Sequence, residues 1–278
     1  MSHLKVYSGL GEMDMSLTHM IAAEPDGDYA RYYREQSDKG RFVILDNSAF
    51  ELEQLGKGMD PDIVLDAARI TKPTEVIATD TVLDGPATVE STKHFIERMK
   101  ARRELGKYKV MAVPQGRHIG EWWDCFVKLH SIPEVDTIGL SKLSVPMSWL
   151  GEKESNGNCA RSRIECCKAI RQHLSAIDEP TKEFHLLGGD NWTPFEMMQH
   201  RALGHDFIRS NDSSCAVWYG LHLKTFNEQG KIEDIIMEKP DLENENPQTR
   251  DLFHSTRGGE TTREAILENI VRWHLACK

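Results

Sequence analysis

The sequence is short of several features that would place a protein at once. No apolar run approaches the roughly 18 residues that a membrane-spanning helix needs. The opening stretch, MSHLKVYSGLGEMDMS, lacks the basic start and apolar run of a secretion signal, so a soluble, cytoplasmic protein without a membrane partner is expected. The six cysteines (Cys125, Cys159, Cys166, Cys167, Cys215, Cys277) show no C-x-x-C or C-x-C spacing. Structural zinc usually brings such ligand pairs, so free thiols and no metal are expected. A mixed Cys/His site assembled only by the fold is the one arrangement that spacing does not address. A basic surplus is missing too: 34 Lys and Arg stand against 44 Asp and Glu, for a net charge of −10. That argues against a non-specific nucleic-acid coat but leaves room for an enzyme touching nucleic acid over a small basic face. There is no internal repeat, no low-complexity tract and no G-x-G-x-x-G after the first strand.

What recurs instead is a short apolar run, a polar loop and a helical pattern. The runs are LKVYSG (4–9), RFVILDNSAF (41–50), EVIATD (75–80), KVMAVPQG (109–116), DTIGLS (136–141), EFHLLGG (183–189) and HDFIRSND (205–212). They are nearly continuous apolar stretches, as parallel strands buried on both faces require. Helical spacing follows them, as in Ile119, Trp122, Trp123, Phe126 and Val127, and Pro61, Pro86 and Pro194 sit where first helical turns accept them. Seven such alternations in 278 residues fit a (β/α)8 barrel or a doubly wound sheet, and the length, with no G-x-G-x-x-G after the first strand, favours a single-domain TIM barrel. An eighth strand is expected in CAVWYGLHL (215–223), a polar insertion at 224–260, and a last helix over 262–275.

In a barrel the site lies at the C-terminal strand ends. Here those ends carry Asp46-Asn47-Ser48, Asp80, Gln115-Gly116, Gly139-Leu140-Ser141, Gly188-Gly189 and Asp212-Ser213-Ser214. Two carboxylates can divide nucleophilic attack and proton transfer in glycosyl chemistry. A third carboxylate and an amide can hydrogen-bond the edge of a flat heterocycle, and glycines admit close backbone approach. Plainer readings stand beside these. Asp46 and Asp80 are good turn formers or caps, Gln115-Gly116 suits a β-α turn, and Asp212 suits an N-cap. His200 and His205 read as core or surface histidines, Trp122-Trp123 as packing, and Cys166-Cys167 as structural.

In their order along the chain these motifs resemble the tRNA-guanine transglycosylase superfamily. LDNSAFE is similar to that family's strand ending in Asp-Ser-Gly-Gly-Phe, IATD to its base-recognition strand, VPQG to its Val-Gln-Gly segment, and IGLS to the strand after it. The run FHLLGGDNWTPFEMMQHRALGHDFIRSNDSS is similar to the segment leading to the family's nucleophilic aspartate. The zinc motif of the tRNA-acting members is absent, and the short pattern is most similar to the DpdA-type branch of phage and bacteria, which places 7-deazaguanines into DNA. The resemblance implies a TIM barrel without the zinc-binding insertion and a guanine-exchanging pentosyltransferase that needs no cofactor. Its partners would be DNA, or alternatively tRNA, and a 7-deazaguanine base such as preQ0. A homodimer stays open, and the location would be cytoplasmic (the host cytoplasm for a phage-encoded chain).

By the same resemblance Asp46 would act near the exchanged base, and Asp212 would attack the anomeric carbon. Asp80, Gln115, Gly116, Gly139, Leu187 and Gly188 would hold the base, and Arg117, Lys142 and Arg209 would meet phosphates, with Arg161 and Arg163 as further candidates. One departure touches the nucleophile: the spacing after Gly204 is longer than the family's, and the aligned position is Arg209. Three other functions fit the residues: a glycosidase or transferase for free nucleosides or nucleotides, a metal-dependent barrel hydrolase, and a non-catalytic purine-binding barrel.

Overall fold

The computed structural model describes residues 4–7, 11–53, 58–155, 157–177, 182–213, 215–221, 224–226, 232–234 and 265–273. Two strands come first, β1 (Leu4–Tyr7) and β2 (Gly11–Leu17), followed by α1 (Thr18–Ala23) and α2 (Asp28–Asp38). Next come β3 (Phe42–Asp46), α3 (Ala49–Glu53), α4 (Pro61–Thr71), β4 (Glu75–Ile77), α5 (Gly85–Ala101), β5 (Lys109–Ala112) and α6 (Ile119–His130). The chain continues through β6 (Thr137–Ser141), α7 (Ser144–Leu150), α8 (Asn158–Ile177), β7 (Glu183–Leu187), α9 (Thr193–Ala202), β8 (Ile208–Asp212) and α10 (Cys215–Leu221).

Strands β2 to β8 run parallel in sequence order, and the ring closes through β1, which is antiparallel to both β2 and β8. The architecture is therefore an α/β, TIM-like barrel with seven parallel strands, not eight β-α repeats. The reason lies in one connection. Parallel neighbours need a crossover of a dozen or more residues, whereas only three separate Tyr7 from Gly11, so β1 must turn back on β2. The alternation thus begins one run later than LKVYSG, in the glycine-containing stretch that reads as a loop.

The expected eighth strand is also corrected. Residues 215–221 form α10, whose Gly220 lets the helix over 265–273 come close: a Cβ there would meet Ile266 Cα at 2.6 Å. Asn269 Nδ2 donates to Ala216 O across this contact at 3.3 Å. A short apolar run cannot by itself be told as strand or helix. Of the expected insertion at 224–260, the described part is an antiparallel pair, β9 (Lys224–Phe226) and β10 (Ile232–Asp234); the rest lies outside the described residues.

Elsewhere local chemistry sets the helices as the sequence predicts. Asp60 caps α4 by accepting from Asp62 N with Pro61 in the first turn, and Asp84 caps α5 by accepting from Ala87 N. Strand side chains divide into two layers. Met15, Ile44, Ile77, Met111 and Val113, with Phe42 and Leu187, fill the lumen. Leu45, Val76, Val110, Ile138, Leu140, Phe184 and Leu186 face the helices, where Trp122, Phe126 and Phe95 cover them. Trp122 is fully buried and stacked on Phe126, as the packing reading of the tryptophan pair expects. Among the described residues no helix is long and apolar enough to cross a membrane.

Candidate active site at the C-terminal mouth of the barrel

Because β2 to β8 are parallel, the ends of β3, β6, β7 and β8 and the segments after β4 and β5 open at one mouth. Asp46, Asp80, Gln115, Leu187, Gly188 and Asp212 all belong to that end.

Asp46 ends β3. Its Oδ1 accepts from Ser48 N at 2.7 Å, and its carbonyl accepts from Thr18 Oγ1 at 2.7 Å. This short Asx-type turn holds Ser48 at φ +60°, a conformation unusual for a residue with a side chain. Ser48 Oγ in turn meets His19 Nδ1 at 2.9 Å, bringing an imidazole from the end of β2 to the mouth. Next to it, buried Asn47 donates Nδ2 to Asp80 Oδ1 at 2.6 Å and to Ala78 O at 2.6 Å. The other Asp80 oxygen accepts from Gln115 Nε2 at 2.6 Å, and Gln115 Oε1 accepts from the amide of Leu83, itself at φ +59°. Asn47, Asp80 and Gln115 therefore form one polar chain across β3, β4 and β5. Two non-glycine residues in the left-handed region flank the acidic positions, the kind of strain that folded proteins keep mainly at working sites.

Asp212 is placed by a bulge. Phe184 pairs with Ile208, but His185 pairs with Ser210, so β8 carries one extra residue, Arg209, at this point. Without it Asp212 would share the outward face of Ile208. With it Asp212 shares the inward face of His185. Asp212 Oδ1 then lies 3.0 Å from His185 Nε2 and accepts from Gly188 N at 2.9 Å, while His185 Nδ1 lies 2.6 Å from Ser210 Oγ. His185 is wholly buried and Asp212 is 6% exposed. Gly188 turns at φ +69°, where a Cβ would run into the Lys142 stem at 2.7 Å.

The turn bearing Gly188 is braced from below. Arg163 on α8 pairs with Glu196 on α9 through two bonds of 2.7 Å, and its Nη1 reaches the carbonyls of Leu187 and Gly188 at 3.1 Å. Both side chains are almost fully buried, and although burial works against it, the Arg163 charge holds the Glu196 carboxyl below its ordinary range. Asp190, just past this turn, behaves oppositely: burial raises its carboxyl despite the bond from Trp192 N.

The remaining expected site residues divide. Gly139 lies inside the lumen, where a Cβ would meet Leu187 Cδ1 at 2.5 Å. Gly116 is a packing position, since a Cβ would meet Trp122 N at 2.5 Å. Lys142 reaches across the mouth to the Phe50 ring at 5.9 Å, and Arg117 is exposed, its backbone N–H bonding Glu121 Oε2. Arg209 is corrected. It lies at the opposite end of the barrel, bonded to Glu75 Oε2 at 2.8 Å and Glu183 Oε2 at 3.1 Å and stacked on Phe42, so it does not face the mouth. Arg163 is likewise consumed by Glu196, whereas Arg161 is exposed. His200 and His205 are core residues, buried at 1% and 3% exposure.

Sequence reasoning missed His19 because β2 read as a loop, and His185 because an odd position in an apolar strand carries no local signal. It also missed Asn47 as the link to Asp80, although LDNS names the residue. The exposed aromatics Phe50, Trp192 and Phe195 flank the same end, following β3 and β7. Neither a protein-family model nor a curated protein matches this chain.

Proposed function

We propose that the chain is a base-exchange glycosyltransferase that replaces guanine in nucleic acid, DNA before tRNA, with a 7-deazaguanine through a covalent Asp212 glycosyl ester. The observation that carries the reading is Asp212 itself. It is a carboxylate turned inward by a bulge, with one oxygen oriented by His185 and the Gly188 amide, in a mouth that also holds Asp46 and the Asp80–Gln115 chain. Such orientation suits a nucleophile, because the attacking oxygen is held in place before the substrate arrives.

The reaction balances without a cofactor. An Asp212 oxygen bonds to C1′ as the C1′–N9 bond breaks, and guanine leaves with that electron pair and takes a proton at N9. The incoming 7-deazaguanine gives up its N9 proton and bonds to C1′ as the Asp212 ester bond breaks. In this reading Asp46 and the Ser48–His19 pair would move those protons, and Asp80 with Gln115 would offer a polar edge to the base. A target within a duplex must leave the stack, and Phe50 and Trp192 are exposed aromatics against which it could lie.

One observation favours a second reading, a transferase or glycosidase for free nucleosides or nucleotides: Arg163 and Arg209 are spent on buried ion pairs, and the net charge is −10. Both readings are tested by offering labelled guanine with DNA, tRNA and free guanine nucleotides to wild type and to Asp212→Asn. Label entering DNA or tRNA with wild type alone supports the proposal. Label entering only nucleotides supports the second reading, and retained purine binding with no exchange supports a non-catalytic barrel.

A further inference from the structure

Away from the mouth, the shell between strands and helices brings together one cluster of metal-type ligands. Cys167 on α8, His200 on α9 and His205 in the turn before β8 each offer a ligand atom, and these atoms all lie within 4.8 Å of one another. All three residues are buried, at 0%, 1% and 3% exposure. No spacing motif marks them, because they come from two helices and a turn.

The imidazoles meet Nδ1 to Nδ1 at 2.8 Å. Two neutral rings can place only one proton in that gap, and His200 Nε2 has no partner within hydrogen-bond distance, with Glu196 Oε1 standing 3.6 Å away. With the proton on His200 Nδ1, Nε2 presents a lone pair towards Glu196 Oε1, 3.6 Å away; with the proton on His205, Nε2 carries a hydrogen too distant from that oxygen to bond well. A buried nitrogen in this position has room for a closer partner.

We propose that Cys167, His200 and His205 form a binding site for a thiophilic divalent cation, zinc first, which ties α8 and α9 to the foot of β8. One thiolate and two imidazoles are a zinc-type donor set. On binding, the Cys167 thiol releases its proton to solvent and the sulfur electron pair goes to the metal. Glu196 is not one of the three ligands: both its oxygens accept from Arg163 at 2.7 Å, which leaves the fourth position to water. The site sits at the end of β8 opposite Asp212, so its role is to hold the shell together, and it does not rest on the base-exchange reading.

Metal content of the purified full chain and cobalt substitution test this directly. The expected result is stoichiometric zinc by mass spectrometry and, after exchange, intense tetrahedral cobalt bands with a near-ultraviolet thiolate-to-cobalt transition. Cys167→Ala should abolish that transition, and His205→Gln should weaken cobalt binding at least about tenfold, in line with loss of one ligand. Absence of the thiolate band in wild type overturns the proposal whatever the variants do, and so does its persistence in a folded Cys167→Ala protein.

Discussion

Asp212 owes its orientation to one extra residue in β8. Pairing jumps from Ile208 to Ser210, and this turns the carboxylate from the helix side to the lumen beside His185. Asp212→Asn keeps the shape but loses the charge, and should lower base exchange by at least about a thousandfold, read as kcat in a labelled-guanine assay. His185→Ala leaves the nucleophile in place with one partner fewer. It should lower kcat by about ten- to a hundredfold with KM little changed, because the histidine orients a carboxylate and does not grip the base. Equal losses in kcat and in nucleic-acid affinity would assign His185 a binding role instead.

Among the elements, the Arg163–Glu196 pair is what fixes the Gly188 turn to the helical shell. Removing one partner of a fully buried pair strands the other charge, so Arg163→Ala should cost about 3–5 kcal/mol in denaturant unfolding. A cost under 1 kcal/mol would show that the pair does not brace the turn. How far the elements could be read beforehand depended on what marked them. FVILD followed by Asn-Ser was legible because continuous apolar residues ended on turn formers, and Asp60-Pro61 because a cap and a first-turn proline announce a helix. β1 was legible as the run LKVYSG, but its antiparallel direction was not, since that depends on a connection length that composition does not show; β2 was not legible, because Gly11 and two acidic residues hid a strand. CAVWYGLHL misled because its apolar run fits either period, and the partner that makes it a helix lies some fifty residues on, at Ile266 and Asn269. At the mouth, Asp46, Asp80, Gln115 and Asp212 were legible as strand-end residues. The bulge, and with it His185, was not, since register is a property of two strands together.

Taken whole, the barrel has two unlike ends. The foot is closed by Arg209 between Glu75, Glu183 and Thr137. Burial works to raise the Glu183 carboxyl, but the Arg209 charge, with Lys109, outweighs it and holds the group below its ordinary value. A carboxylate lowered on folding contributes stability above its unfolded pKa and loses it as pH falls through the folded one. Glu196 shifts the same way, so melting temperature should be level near neutrality and fall as pH drops through about 4.5 and below. A melting temperature that rises on acidification would contradict this. At the mouth, Lys142, Arg117 and Arg161 are described cations that remain for phosphates once Arg163 and Arg209 are accounted for. Duplex DNA binding should therefore weaken with salt only as expected for about two or three phosphate contacts, a slope of roughly −2 to −3 in log K against log salt. A slope as steep as about −6 would call for a larger basic surface than these residues provide.

The central claim is that Asp212 becomes covalently joined to C1′ of a nucleotide. Wild type should be incubated with DNA and with tRNA, denatured, and digested for peptide mass spectrometry. The account predicts a nucleic acid–protein adduct that survives denaturation, maps to Asp212, disappears on adding guanine and is missing from Asp212→Asn. An adduct on another residue, or exchange proceeding in Asp212→Asn at the wild-type rate, would contradict it.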